Sequence, residues 1–129
     1  MAEQPFILIV DDEPDFREIF GAKLTAMGCR VETAENGAAA LEKLASMTPD
    51  LVLMDVKMPV MDGATAVLKM KADPRLKDLR VAFLTSLGDP RFEMQEINRK
   101  FAAEVGAHYL QKTEDLDILG EQIKRILSS

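Results

Sequence analysis

One cysteine, Cys29, and one histidine, His108, are the only residues of their kinds in the 129-residue chain. A lone cysteine makes no internal disulfide, and no Cys/His spacing suits zinc. Cys29 sits in an apolar setting and reads as a small core residue. His108 has no second ligand near it in sequence, so neither a phosphohistidine nor a metal role is assigned to it. Long apolar runs are also missing. The run near the start, Phe6 to Val10, is five residues long and ends in Asp11-Asp12. That is too short and wrongly flanked for a signal peptide or a membrane span. A cytoplasmic location with no membrane partner is expected. Positive charge is in deficit, with 16 Lys and Arg against 22 Asp and Glu, a net charge of −6 and a pI near 4.8. Such a chain is not built to hold a polyanion over a broad surface, so direct nucleic-acid binding is not expected. No repeat, low-complexity tract or linker interrupts it.

What is present is ordinary globular composition, 47% apolar and 29% charged, enough for a core without disulfides or structural metal. The chain is organised around Leu51 to Gly63, LVLMDVKMPVMDG. Four apolar residues end abruptly in Asp55, followed by the loop and helix-start signals Met58-Pro59 and Asp62-Gly63. A continuous apolar run bounded by turn residues suggests a strand buried on both faces. Asp55 then sits at the carboxyl end of a buried strand, the edge where open α/β sheets bind ligands.

The same design opens the chain: strand Phe6 to Val10, then Asp11-Asp12. Pro14 suits a first helical turn. Phe16, Ile19, Phe20, Leu24 and Met27 recur at helical spacing before Gly28 stops the helix. A short strand, Arg30 to Ala34, precedes a helix opened by Asn36-Gly37, with Ala40, Leu41, Leu44 and Met47 inward. After the Leu51 to Met54 strand, a helix over about 62–72 turns Ala66, Val67 and Met70 inward. Strand Arg80 to Leu84 ends at Thr85-Ser86. A helix over about 91–105 carries Met94, Ile97, Phe101 and Val105 on its apolar stripe. Strand His108 to Gln111 ends at Lys112. A last helix, about 115–127, presents Leu116, Leu119, Ile123, Ile126 and Leu127. Five β-α units predict an α/β fold: a five-stranded parallel sheet, doubly wound, with flavodoxin-like strand order 2-1-3-4-5.

In that order the first and third strands are neighbours at the reversal point. Asp11, Asp12 and Asp55 therefore converge, with Thr85 and Lys112 beside them. Crowded carboxylates repel and would raise one pKa. A hard divalent cation relieves this, and carboxylates plus a backbone carbonyl suit Mg²⁺. Asp55 can then act as a nucleophile toward a phosphoryl group. Transfer needs in-line positioning and neutralisation of the equatorial oxygens. The cation, Lys112 and the Thr85 hydroxyl can supply that.

Four segments together, ILIVDDE (Ile7–Glu13), LVLMDVKMPVMDG (Leu51–Gly63), VAFLTS (Val81–Ser86) and GAHYLQK (Gly106–Lys112), resemble the receiver domain of two-component response regulators. The resemblance covers essentially the whole chain. It implies a single receiver domain over 1–129 with no output domain, of the stand-alone chemotaxis-regulator type. It implies that Asp55 is the phosphoacceptor, fed by a histidine kinase or a histidine-phosphotransfer protein. Asp12 would bind Mg²⁺ directly, Asp11 would assist, and Asp55 and the backbone carbonyl of Lys57 would complete the protein ligands. Thr85 and Tyr109 match the switch pair, and Lys112 would pair with the phosphoryl oxygens. The chain would be a phosphorylation-controlled switch acting on a downstream protein, as a monomer or weak homodimer. It would not be an enzyme, beyond assisting its own phosphorylation and dephosphorylation.

Three departures stand out. The family usually carries Pro after the lysine, often with a cis bond; here it is Thr113, and a trans bond is expected because cis costs about 2.5–4 kcal/mol without proline. Thr85 to Lys112 spans 112 − 85 = 27 positions, a few more than usual, with the excess expected around Gly88–Gln95. Lys57 stands two places after the acceptor, where the family varies. Ser86 is read as a small residue permitting phosphate approach. The basic run Lys69, Lys71, Arg75, Lys77 and Arg80 is read as a solvated face. Three alternatives remain open: a phosphate sink or relay intermediate; a metal-dependent phosphatase, disfavoured because Lys57 replaces the second acid such enzymes need; and a phosphorylation-independent binding module.

Overall fold

A computed structural model describes residues 4–55, 63–85, 100, 102–112 and 115–128. Five strands, β1 (Phe6–Val10), β2 (Arg30–Ala34), β3 (Leu51–Asp55), β4 (Val81–Thr85) and β5 (His108–Gln111), form one sheet. Its order is β2-β1-β3-β4-β5, and every neighbouring pair is parallel. This is the predicted doubly wound topology. Helices α1 (Pro14–Ala26), α2 (Gly37–Leu44), α3 (Gly63–Ala72) and a C-terminal helix (Leu116–Ser128) cover it.

Strand alternation divides the core in two. On one face Ile7, Ile9, Leu51, Leu53, Ala82 and Leu84 pack against Phe20 and Leu24 of α1 and Leu119, Ile123 and Ile126 of the C-terminal helix. On the other, Leu8, Val10, Val52, Met54, Val81 and Phe83 pack against Ala40 and Leu44 of α2 and Ala66, Val67 and Met70 of α3. Every residue of β3 and β4 is buried, which is why those strands read as continuous apolar runs. Full burial of each large side chain contributes about 1.5–3 kcal/mol.

Local chemistry sets the boundaries. Pro14 begins α1, and Gly28 leaves it at φ +96°, a left-handed turn that costs glycine no Cβ clash. The Asn36 side chain accepts a 2.8 Å hydrogen bond from the Ala39 N–H and caps α2. Gly106, at φ +72°, turns the chain from a helical segment at 102–104 into β5.

The expected boundaries need four corrections. Ile19, assigned to the inner stripe of α1, is 58% exposed; it lies one residue off the line through Phe16, Phe20 and Leu24, so spacing alone placed it too far inward. α2 ends at Leu44, so Met47 lies beyond it, half-buried in the following turn. β4 starts at Val81, leaving Arg80 outside, and it includes Thr85. β3 likewise includes Asp55. The start of the third helix at Asp62, and Met94, Ile97 and Phe101, lie outside the described residues.

Candidate functional site

The carboxyl edges of β1, β3, β4 and β5 converge. Asp11 follows β1 directly, Asp55 ends β3, Thr85 ends β4, and Lys112 follows β5. All four are buried, an unusual placement for polar side chains, whereas Asp12 is exposed. One oxygen from each of Asp11, Asp12 and Asp55 lies within 4.8 Å of the others. The predicted juxtaposition of β1 and β3 brings them together, since β1 pairs with β3 from Ile7↔Leu51 to Val10↔Met54.

Lys112 closes this cluster. Its backbone N–H donates to the Thr85 carbonyl at 2.8 Å, continuing the β4–β5 ladder one residue past the strand. Its Nζ lies 2.5 Å from Asp11 Oδ2, 3.1 Å from Glu13 Oε1 and 3.6 Å from Asp55 Oδ2. The same nitrogen sits 4.4 Å from the centre of the Phe16 ring. Asp11 is fixed further: its Oδ1 accepts from the Glu13 N–H at 2.8 Å, and its carbonyl accepts from the Arg17 guanidinium at 2.6 Å.

Alternation along the strands sorts the site residues. Asp11, Asp55 and Lys112 continue the series Ile7–Ile9, Leu51–Leu53 and Leu110, all of which face α1 and the C-terminal helix. Thr85 continues from Phe83, which faces α2 and α3, and Tyr109 packs on that same side. Phe83 pairs with Tyr109 and Thr85 with Gln111. Thr85 and Tyr109 are thus diagonal cross-strand neighbours on one face of the sheet.

Burial pushes the Asp11 carboxyl above its ordinary value, opposed by the hydrogen bond from Lys112, the Glu13 amide and the lysine charge. Burial alone would lower Lys112. Its contacts with Asp11, Asp55 and Glu13 outweigh that and raise it, so the ammonium stays charged. Three carboxylates against one buried ammonium leave net negative charge among hard oxygen donors. That donor set fits a divalent cation such as Mg²⁺.

A profile of the response regulator receiver domain matches residues 7–124. The chain belongs to the response regulator receiver family. Its sequence is 32% identical over 120 residues to a gliding motility regulatory protein of Myxococcus xanthus, covering 93% of this chain and 15% of that protein. Its fold resembles a putative response regulator from Chloroflexus aurantiacus, at TM-score 0.84 and 30% identity, covering 98% of this chain and 100% of that one. It also resembles the response regulator TrrA of Thermotoga maritima, solved in complex with Mg²⁺-BeF, at TM-score 0.77 and 30% identity over 95% of this chain and 98% of that one. The receiver spans less than half the length of the curated relatives it matches.

Of the expected site residues, the receiver brings together Asp11, Asp12, Asp55 and Lys112, with Thr85 at the adjoining strand end and Tyr109 diagonal to it. Lys57, Ser86, the Gly88–Gln95 segment and the Lys112–Thr113 bond lie outside the described residues. The longer stretch before Lys112 leaves its amine in the pocket. Among the described residues no helix is long and apolar enough to cross a membrane. Sequence reasoning missed Glu13, Phe16 and Arg17 as neighbours of the site. Glu13, directly after the aspartate pair, carried a signal. Phe16 was absorbed into the helix stripe, and only the tertiary fold brings it to Lys112.

Proposed function

We propose that this receiver is a phosphorylation-controlled switch in which Asp55 is the phosphoacceptor. The observation that carries the proposal is the burial of Asp55 in one pocket with two further carboxylates and the Lys112 ammonium. An Asp55 carboxylate oxygen attacks phosphorus and forms a P–O bond. The bond from phosphorus to the donor breaks: P–N for a phosphohistidine partner, P–O for acetyl phosphate. The electron pair leaves with imidazole or acetate. Charge on the equatorial oxygens must then be neutralised in place.

Lys112, 3.6 Å from Asp55 Oδ2, is held for that task. The Thr85 hydroxyl, at the next strand end, donates a hydrogen bond to the phosphoryl group, and Tyr109 follows on the same face. Asp11, Asp12 and Asp55 would hold Mg²⁺, with the backbone carbonyl of Lys57 as a further ligand. The ion would supply Lewis-acid neutralisation of the phosphoryl oxygens. The partners are a histidine kinase or histidine-phosphotransfer protein upstream and a protein target downstream. The chain turns over no separate substrate, so it is not an enzyme in the ordinary sense. A cytoplasmic location and a monomeric or weakly dimeric state complete the reading.

The test is intact mass after incubation with acetyl phosphate and Mg²⁺. A gain of one phosphoryl group that needs Mg²⁺ and is lost in Asp55→Asn is expected. No gain in the unmutated protein overturns the proposal.

A further inference from the structure

We infer that Phe16 is a positioning residue for Lys112, holding its ammonium by a cation–π contact inside the acid pocket, within reach of Asp55. The inference deepens the phosphoacceptor reading and rests on it. Among the described residues the Lys112 amine has three carboxylates within reach, and they are not equivalent. Asp11 and Asp55 are buried, whereas the Glu13 side chain is 59% exposed and lies at the outer side of the pocket. A long, flexible lysine stem has no intrinsic preference among them. The amine donates to Glu13 at 3.1 Å and stands 3.6 Å from Asp55, so it sits between the outer and the inner acids, and a wider swing would carry the charge into water.

The Phe16 ring adds a hold on the ammonium inside the pocket. Its centre lies 4.4 Å from Nζ, inside the distance at which a ring face attracts an ammonium. The ring is itself fixed. It stacks on Phe20 at 5.4 Å between centroids and 26° between planes, and Phe20 is fully buried against the sheet. Phe16 therefore presents a rigid apolar face to a cation whose charged partners among the described residues are carboxylates. No side-chain hydrogen bond from α1 could do this without competing with the phosphoryl oxygens for the ammonium's protons. A ring face attracts the charge without itself taking one of those donors.

The experiment is the rate of phosphorylation by acetyl phosphate in Mg²⁺, and the affinity for beryllofluoride, in Phe16→Leu, Phe16→Tyr, Lys112→Ala and the Phe16→Leu/Lys112→Ala double variant. Phe16→Leu keeps an apolar body and removes the ring face. It should slow phosphorylation and weaken beryllofluoride binding about three- to tenfold, within the span a cation–π contact covers. Phe16→Tyr, which keeps the face, should stay within about twofold of the unmutated protein. In the Lys112→Ala background, Phe16→Leu should have no further effect, because a residue acting through the lysine has nothing left to act on. If Phe16→Leu unfolds, Phe16→Met takes its place. An unchanged rate in the ring-less variant, or a loss that persists without Lys112 or is not rescued by Tyr, overturns the inference while leaving Asp55 as acceptor. Failure of the unmutated protein to gain a phosphoryl group overturns both.

Discussion

Lys112 and Asp11 form a buried ion pair, with Nζ 2.5 Å from Oδ2, at the junction of two strands that are not neighbours in the sheet. Removing one member of a buried pair leaves the other charge stranded, typically at about 3–5 kcal/mol. Here the stranded group is a carboxylate that shares its pocket with two others. Lys112→Ala should therefore lower the urea midpoint in Mg²⁺-free buffer, and millimolar Mg²⁺ should restore a large part of it. Equal midpoints with and without Mg²⁺ would count against a shared cation seat.

Asp12 tests the same crowding from the solvent side. It adds a third negative charge within 4.8 Å of Asp11 and Asp55 oxygens. Asp12→Asn should raise the melting temperature of the Mg²⁺-free protein by relieving repulsion, and should also weaken the Mg²⁺ response. Stability gained at the expense of a site is the usual trade at charged pockets. Thermal scans with and without Mg²⁺ check both halves.

The pH profile follows from Asp11 and Lys112. Burial raises Asp11 above its ordinary 3.8, so the folded protein binds that proton more readily than the unfolded chain does. Its ionised form therefore subtracts from stability above that range. As pH falls through the raised value toward 3.8, this cost is relieved, fully so below 3.8. Lys112 is also raised, from 10.5: its contribution is complete below 10.5 and is lost as pH climbs through the folded value. In Mg²⁺-free urea titrations, the difference in stability between the unmutated protein and Asp11→Asn should shift in favour of the unmutated protein as pH drops across the acid range. Mg²⁺ affinity should weaken over the same range, because proton and cation compete for one carboxyl.

Gly28 provides a control remote from the chemistry. At φ +96° it occupies a conformation that costs an L residue about 1–2 kcal/mol. No atom lies within 4 Å of where a Cβ would stand, so the cost is conformational and not steric contact. Gly28→Ala should lower the urea midpoint by a corresponding amount and leave the acetyl-phosphate reaction unchanged.

Much of the architecture was legible because the strands advertise themselves. β1, β3 and β4 are apolar runs cut off by Asp or Thr, and each cut marks the sheet edge where the site forms. Strict β-α alternation over five strands then favoured the doubly wound 2-1-3-4-5 order over a barrel, and that order brought Asp11 and Asp12 to Asp55. Periodicity was less reliable on α1, where Ile19 shares the spacing of its neighbours yet faces water. A helical stripe is wide enough to include residues on its margin, and only packing decides which of them are covered. The support around Lys112 was hidden for another reason. Glu13, Phe16 and Lys112 come from opposite ends of the chain, and no pattern within either segment reports their contact.

The alternation of β4 and β5 sets Thr85 and Tyr109 on the opposite side of the sheet from Asp11, Asp55 and Lys112. The sheet thus works as a bulkhead, with the acid cluster in one compartment and the tyrosine in the other. Their common passage is the open rim where the strands end, and Thr85 stands on that rim. Between the two compartments, below that rim, lies the packed wall of β3 and β4, every residue of which is buried.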